Sequence, residues 1–241
     1  ASDVYKRQGV IDRDETQSFP KEEIKQLASL GFMGMMVDPK YGGSGMDTIS
    51  YAIAMEEISA IDASAAVIMS VNNSLVCYLI EHFGDDFQKE KYLAKLTTGQ
   101  KLGAFSLSEP QSGSDASNMN TTAIKSDDYY ILNGTKNWVT NGIHSDFVLV
   151  FAMTEKGIGH KGISCFIVEK EFEGFECGKP EEKLGIRSSD TCELYFDNVK
   201  VPKENMIGAE GEGFKIALAT LDGGRIGIAA QAIGIAVSSL N

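Results

Sequence analysis

An α+β fold, with helices and strands segregated along the chain, is predicted by three observations. Up to about Leu102 the apolar residues recur at helical spacing, and from Gly103 they fall into short runs rich in β-branched and aromatic residues. After Gly208 the helical spacing returns. These shifts divide the chain into an N-terminal helical domain over 1–102, a middle β domain of barrel or sandwich type over 103–208, and the start of a further helical unit over 209–241.

Each element has its own signal. Pro20 suits a first helical turn, Glu22 and Glu23 sit near that helix's positive end, Ile24, Leu27 and Leu30 share a face, and Gly31 lies past the end. After the loop PKYGGSG, Asp47 caps a surface helix in which Tyr51, Ala54, Met55, Ile58 and Ile61 recur on one side and Glu56 and Glu57 point outward. Ala63 to Ile80 carries no charged residue and is long enough to cross a membrane. Asn72, Asn73 and several serines make it too polar for that, so a buried central helix is predicted. Asp85 and Asp86, then a charged run with Phe87, Tyr92, Leu93 and Leu96 inward, predict one more helix ending near Gly99.

In the β domain, Phe105 and Leu107 alternate with Ser106 and Ser108 until Pro110 breaks the strand. Thr121–Lys125 and Tyr129–Leu132 flank Ser126-Asp127-Asp128 as a hairpin, and Asn133-Gly134 reads as a second turn. Further strands are predicted at Phe147–Met153, Ile163–Glu169 and Cys192–Phe196. From Gly211 a helix runs through Phe214, Leu218 and Leu221 into GGRIGIAAQAIGIA, whose Gly and Ala positions let another backbone approach and want a partner.

The 241 residues are 43% hydrophobic and 23% charged, the make-up of a soluble globular protein, with a net charge of −12. That charge argues against nucleic-acid and anionic-membrane partners, both of which need basic surface. Cys77, Cys165, Cys177 and Cys192 are widely spaced without a Cys-x-x-Cys pair, and His82, His144 and His160 are scattered singly, so neither a metal site nor a disulfide framework is expected and a reducing compartment is the simpler reading. The opening ASDVYKRQ lacks the run of a signal or transit peptide and connects to no pattern in the rest; it reads as extraneous to the domain.

The stretch with most chemical content is FSLSEPQSGSD, Phe105 to Asp115. Its Gln-Ser-Gly-Ser turn frees backbone amides, and Ser108, Ser112 and Ser114 surround Gly113, so the loop can wrap a phosphate or a polar ring edge; an ordinary hairpin loop reads the same way. Trp138, the single tryptophan, is either a core residue or a ligand platform. Asp222 and Arg225 are three apart on one helix face, so either one ligand touches both or they pair with each other. The glycines between them weaken a helix by about 1 kcal/mol each relative to Ala, which suits a close ligand approach. Glu109 has no assignable direction and reads as structural.

Three of these stretches, FSLSEPQSGSD, WVTNG at Trp138 to Gly142 and LDGGR at Leu221 to Arg225, occur in the order found in the acyl-CoA dehydrogenase family, which the chain resembles from about Phe19 onward. YGGSG, KLGIRSSDT and VPKENMIG extend the likeness, which is nearest to the short-chain, butyryl-CoA type; Ser106 and Asn118 depart from the usual pattern. The resemblance implies FAD as cofactor, since no side chain accepts hydride. Carried over position by position, it implies flavin contacts from Phe105, Leu107, Ser108, Gly113, Ser114, Trp138, Val139 and Thr140, and acyl-CoA contacts from Ser114, Asp222 and Arg225. Arg187 and Arg225 are candidates to offset the acidic surface where an anionic acyl-CoA binds. It further implies a C-terminal helical bundle beyond residue 241, homotetramers, and an electron-transfer flavoprotein as partner, in a cytoplasmic or mitochondrial-matrix setting with the cytoplasm preferred. No catalytic residue is assigned within the chain: where the isovaleryl type places its glutamate stands Gly224, and the commoner branch carries the base in the C-terminal domain. An acyl-CoA oxidase, a flavin monooxygenase and a non-catalytic flavin- or CoA-binding scaffold remain open alternatives.

Overall fold

The structure is a computed structural model that describes residues 2–240. Among the described residues, seven α-helices and eight strands are arranged as helices, then sheet, then one long helix. Helix α1 (Ser2–Thr16) has no counterpart in the sequence expectations, because its periodicity is weak and its apolar content low. Helix α2 (Lys21–Ser29) begins after Pro20 and stops where Gly31 turns left-handed at φ 81°. Helix α3 (Thr48–Ser59) is capped by Asp47, which accepts from the Ser50 amide at 2.8 Å. Helix α6 (Asp86–Thr97) opens on a capping box between Asp85 and Gln88. Phe87 is not inward as predicted but 52% exposed, the first turn facing water on that side.

The central helix is continuous in direction but not in hydrogen bonding. Helix α4 (Ala63–Ser70), capped by Asp62, widens into a π-helical stretch, Val71–Cys77, and narrows again as α5 (Tyr78–Phe83). The wide turn carries the two asparagines that argued against a membrane span. Asn72 donates to the Met33 carbonyl, while Asn73 donates to the Phe32 carbonyl and accepts from the Met35 amide, so both bolt the helix to the segment beneath α2. Ala63–Phe83 and Gly213–Leu240 are both long and apolar enough to cross a membrane; 78% of the former's most apolar window lies buried within the protein, and 28% of the latter's.

The strands are β1 (Gly103–Ser106), β2 (Thr122–Lys125), β3 (Tyr129–Thr140), β4 (Phe147–Met153), β5 (Ile163–Glu169), β6 (Phe175–Pro180), β7 (Thr191–Pro202) and β8 (Met206–Ile207). They form one sheet in the order β6-β7-β3-β2-β4-β5-β8, with β1 parallel to β4. Strand β4 is apolar on both sides because both sides are covered. Phe147, Leu149 and Phe151 face the helices, whereas Val148, Val150 and Ala152 face the β3–β7 arm that folds over them. Asn133-Gly134 is not a turn. It is a bulge inside the twelve-residue β3, with Gly134 at φ 149° directly over Thr121, where any Cβ would clash. β6, whose sequence is too polar to announce itself, and the outer half of β7 were not anticipated.

Helix α7 (Gly213–Leu240) finds its partner within the chain. A Cβ at Gly227 would meet the Tyr51 hydroxyl at 2.5 Å and one at Gly234 the Glu56 carbonyl at 2.2 Å, so its small residues let α3 pack against it. Gln231 donates to the Ala63 carbonyl and ties the same face to α4. The opposite face exposes Ile226, Ile228, Ile233 and Leu240.

Candidate functional site

The loop after β1, the end of β3, the π-helical stretch and α7 enclose a cavity of about 410 Å³. Its floor is apolar, with Phe105, Leu107, Val71 and Leu75 below and Phe214, Leu218 and Leu221 on the side of α7. Ser108, Gly113, Ser114, Trp138 and Thr140 bring polar groups and one large ring to its walls, and Arg225 stands at the edge.

The loop's shape follows from its own polar groups. Glu109 and Ser112 exchange backbone hydrogen bonds of 2.9 and 3.0 Å around Pro110 and Gln111, and the Ser112 hydroxyl, fully buried, donates to the Asp115 carbonyl at 2.7 Å. Of the three hydroxyls grouped by sequence, Ser112 is therefore spent on holding the loop, while Ser108 and Ser114 line the cavity. Gly113 is required neither by a left-handed φ nor by a neighbour, since a Cβ there would meet nothing within 4 Å. What its missing side chain keeps free is the cavity itself.

Glu109 is structural, as its sequence context suggested, through a partner that was not foreseen. Its carboxylate meets the Lys136 ammonium at 2.8 Å with both side chains essentially inaccessible. Burial pushes the Glu109 carboxyl up, but the Lys136 charge and the hydrogen bonds from Lys136, Asn120 and Thr121 outweigh it and hold the carboxyl below the usual range. Burial pulls Lys136 down to about 8 against the opposing charge of Glu109.

Trp138 owes its position to a defect in the sheet. The β3–β7 register slips between Lys136 and Val139, and Trp138 sits in the slip at φ 58°, a conformation that bulky side chains avoid. The indole is consequently turned out of the core and is 64% exposed on the cavity wall. Val139, expected at the cofactor, points the other way into the sheet core and does not line the cavity. Asn137, which sequence reading passed over, does line it; its side-chain Oδ1 is buried with no partner, and its backbone N–H donates to the Ser108 carbonyl at 2.9 Å.

On α7, Asp222 and Arg225 pair with each other at 2.5 Å, both about 70% exposed. Arg225 reaches the cavity lining and Asp222 does not, so as folded here the pair takes the intrahelical form that the spacing left open. The two glycines between them differ. Gly223 faces open space, whereas a Cβ on Gly224 would meet the tip of the Leu75 side chain at 2.8 Å. Arg187 lies elsewhere, its amide donating to Asp14. Among the described residues, the one carboxylate along the cavity is Asp115, whose Oδ1 accepts from the Ser117 hydroxyl.

An apolar floor, hydroxyls on one rim, an exposed indole, an unpartnered amide oxygen and a glycine held open suit a flat conjugated ligand with polar edges. They fit an isoalloxazine ring. Among the described residues of the lining, no nucleophile is paired with a base.

Residues 5–100 match the family description "Acyl-CoA dehydrogenase, N-terminal domain" and residues 104–199 match "Acyl-CoA dehydrogenase, middle domain". The match thus begins well before Phe19 and takes in part of the opening segment. The chain is 52% identical over 235 residues to a short-chain specific acyl-CoA dehydrogenase of Megasphaera elsdenii, covering 96% of this chain and 61% of the relative. A counterpart from Clostridium acetobutylicum is 50% identical over 228 residues, with 95% and 60% covered. Among solved structures, the butyryl-CoA dehydrogenase of Megasphaera elsdenii superposes with a TM-score of 0.93 at 51% identity over 96% of this chain and 61% of that one. The electron transferring flavoprotein structure of Acidaminococcus fermentans also gives 0.93, at 49% identity and coverage of 95% and 60%. The chain therefore spans about 60% of the length of the curated relatives it matches.

Proposed function

The chain belongs to the acyl-CoA dehydrogenase family, and from that premise we propose that the complete protein dehydrogenates a short-chain acyl-CoA to the trans-2-enoyl-CoA. The observation that carries this reading is the cavity that gathers Phe105, Leu107, Ser108, Gly113, Ser114, Trp138 and Thr140 around one slot. Bound FAD supplies the acceptor for the β hydride, a role no side chain fills.

The chain's own residues bind and orient. The apolar floor excludes water; Ser108 and Thr140 would offer hydroxyls to the cofactor's polar groups, Trp138 would pack against its ring system, and the open side at Gly113 would let backbone amides approach its anionic part. Ser114 serves both cofactor and substrate. Arg225, at the edge, supplies positive charge for the acyl-CoA in a protein whose net charge is −12, which requires Asp222 to release it or share it.

The base that takes the α proton lies outside these 241 residues. Position 224, where a glutamate stands in one branch of the family, is a glycine, which carries no proton-accepting group. The exposed apolar face of α7 is the surface on which the remaining helices pack, and it is offered to protein rather than to lipid. Tetramers form through those helices, and electrons leave to an electron-transfer flavoprotein in the cytoplasm.

Anaerobic mixing of the complete, FAD-loaded protein with butyryl-CoA tests the reading. Bleaching of the flavin absorbance is expected with butyryl-CoA and is weaker with long-chain thioesters, whereas the 241-residue chain alone gives none. No bleaching with any acyl-CoA would overturn it, and loss of bleaching in D115N would bring the base back to this wall.

A further inference from the structure

Behind the cavity wall lie two buried charges that the proposed chemistry does not use. Lys136 on β3 and Glu109 in the loop are 0% and 2% exposed and 2.8 Å apart. From their contacts we infer that Lys136 and Glu109 are positioning residues for the flavin, a clamp that fixes the loop bearing Gly113 and Ser114 against the bulge bearing Trp138. The inference rests on the flavin reading above and adds to it the device that sets the slot's width.

The clamp has three ties. Lys136 donates to the Leu107 carbonyl at 3.1 Å and to Glu109, and the next residue, Asn137, donates its backbone N–H to the Ser108 carbonyl at 2.9 Å. Glu109 in turn accepts from the amides of Asn120 at 2.5 Å and Thr121 at 3.1 Å and from the Gln111 side chain at 2.7 Å, which anchors the loop's far end. Leu107 and Ser108 line the cavity on one side and Asn137 and Trp138 on the other, so both walls meet at this pair. Stability alone is a poor reason for such an arrangement, because a well-packed apolar pair commonly holds a core as well or better than a buried ion pair does. A charged pair with fixed donors and acceptors specifies geometry that an apolar one leaves loose.

Such a clamp titrates. Besides Glu109, the groups facing Lys136 are the Cys165 thiol of β5, kept neutral because burial raises it, and the Met119 thioether at 4.0 Å. Once Lys136 gives up its proton, near pH 8, the Glu109 carboxylate is left buried without a counter-charge and the slot loosens.

The test measures FAD dissociation from the complete protein between pH 6.5 and 9, after stripping and re-adding the cofactor. Wild type is expected to bind about tenfold more weakly at pH 9 than at pH 7, with a midpoint near 8, a coupling of the size that contacting buried groups carry. The neutral double variant K136M/E109Q avoids an uncompensated buried charge and so keeps its fold; it is expected to bind about tenfold more weakly at pH 7 and to show a flat profile. Emission of Trp138 in FAD-free protein, isolated as the difference from W138F, is expected to shift with the same midpoint in wild type and to stay constant when K136M/E109Q is present. A folded double variant that binds FAD within about twofold of wild type and keeps its pH profile would overturn the clamp. Wild-type protein that takes up no FAD would instead sink the flavin reading, and the Trp138 titration would still decide the clamp, a flat trace refuting it.

Discussion

Trp138 joins two features that seldom coincide, a left-handed backbone and a large ring 64% exposed. A tryptophan packed in a core would cost about 3 to 5 kcal/mol to truncate. Here the left-handed backbone itself carries a penalty of about 1 kcal/mol for any residue with a Cβ, which glycine escapes. W138G is therefore expected to leave the melting temperature of FAD-free protein unchanged or slightly raised while weakening FAD binding at least about tenfold, the loss of one stacked ring. Calorimetry and FAD titration on the same sample separate the two effects; a large drop in melting temperature would return Trp138 to a packing role. The letters around this residue were readable, but its exposure was not. Nothing in WVTNG shows that β3 and β7 slip register there, because the slip depends on a partner strand over fifty residues away. Lys136 was invisible for a similar reason. A lysine in a strand reads as solvent-facing until its carboxylate is found 27 positions back in sequence.

At the scale of elements, the legible parts were those whose signals are local. β4 and β5 begin and end where their apolar runs do, and α3 and α6 begin at the aspartates that cap them. The misreadings have different causes: at Asn133-Gly134 the local turn signal is overridden by pairing of β3 with β7, and Phe87 lies on the side of the first turn that faces water. The Gly and Ala face of α7 was legible as a packing surface, and its partner proved to be α3. G234V is expected to destabilise the fold by about 1 to 3 kcal/mol, since its Cβ would lie 2.2 Å from the Glu56 carbonyl and only a backbone shift relieves that. Denaturant unfolding checks this, and a loss under about 0.5 kcal/mol would mean the two helices are not in register as described. Substituting Gly223, which faces open space, is expected to have no comparable effect beyond helix propensity.

Across the whole molecule, the helical and β layers are joined by polar contacts, one of them through a carboxylate that titrates. Glu169 at the end of β5 accepts from Tyr92 and Lys91 of α6, both at 2.7 Å, while Gln88 donates to the carbonyls of Glu204 and Met206. Burial pushes the Glu169 carboxyl up, but the hydrogen bonds from Lys91 and Tyr92 and the lysine's charge outweigh it and hold the carboxyl below its ordinary value. The same direction holds at Glu109. A carboxyl depressed in the folded state adds stability above its unfolded pKa and loses it as pH falls through the folded one. Thermal stability is thus expected to decline on acidification below about pH 4.5, and E169Q is expected to flatten part of that decline. An E169Q melting profile parallel to wild type would show that the joint between layers does not depend on this charge.

That the slot between the Ser108–Ser114 loop, the Trp138 bulge and α7 holds a flavin is tested most directly by titrating FAD calorimetrically into flavin-stripped wild type and G113V. A side chain at 113 meets no protein atom within 4 Å of its Cβ, so the variant is expected to fold with an unchanged melting temperature. One FAD per chain is expected to bind wild type, and G113V is expected to lose that binding because its side chain fills the space the cofactor needs. Equal FAD affinity in the two proteins would contradict the assignment.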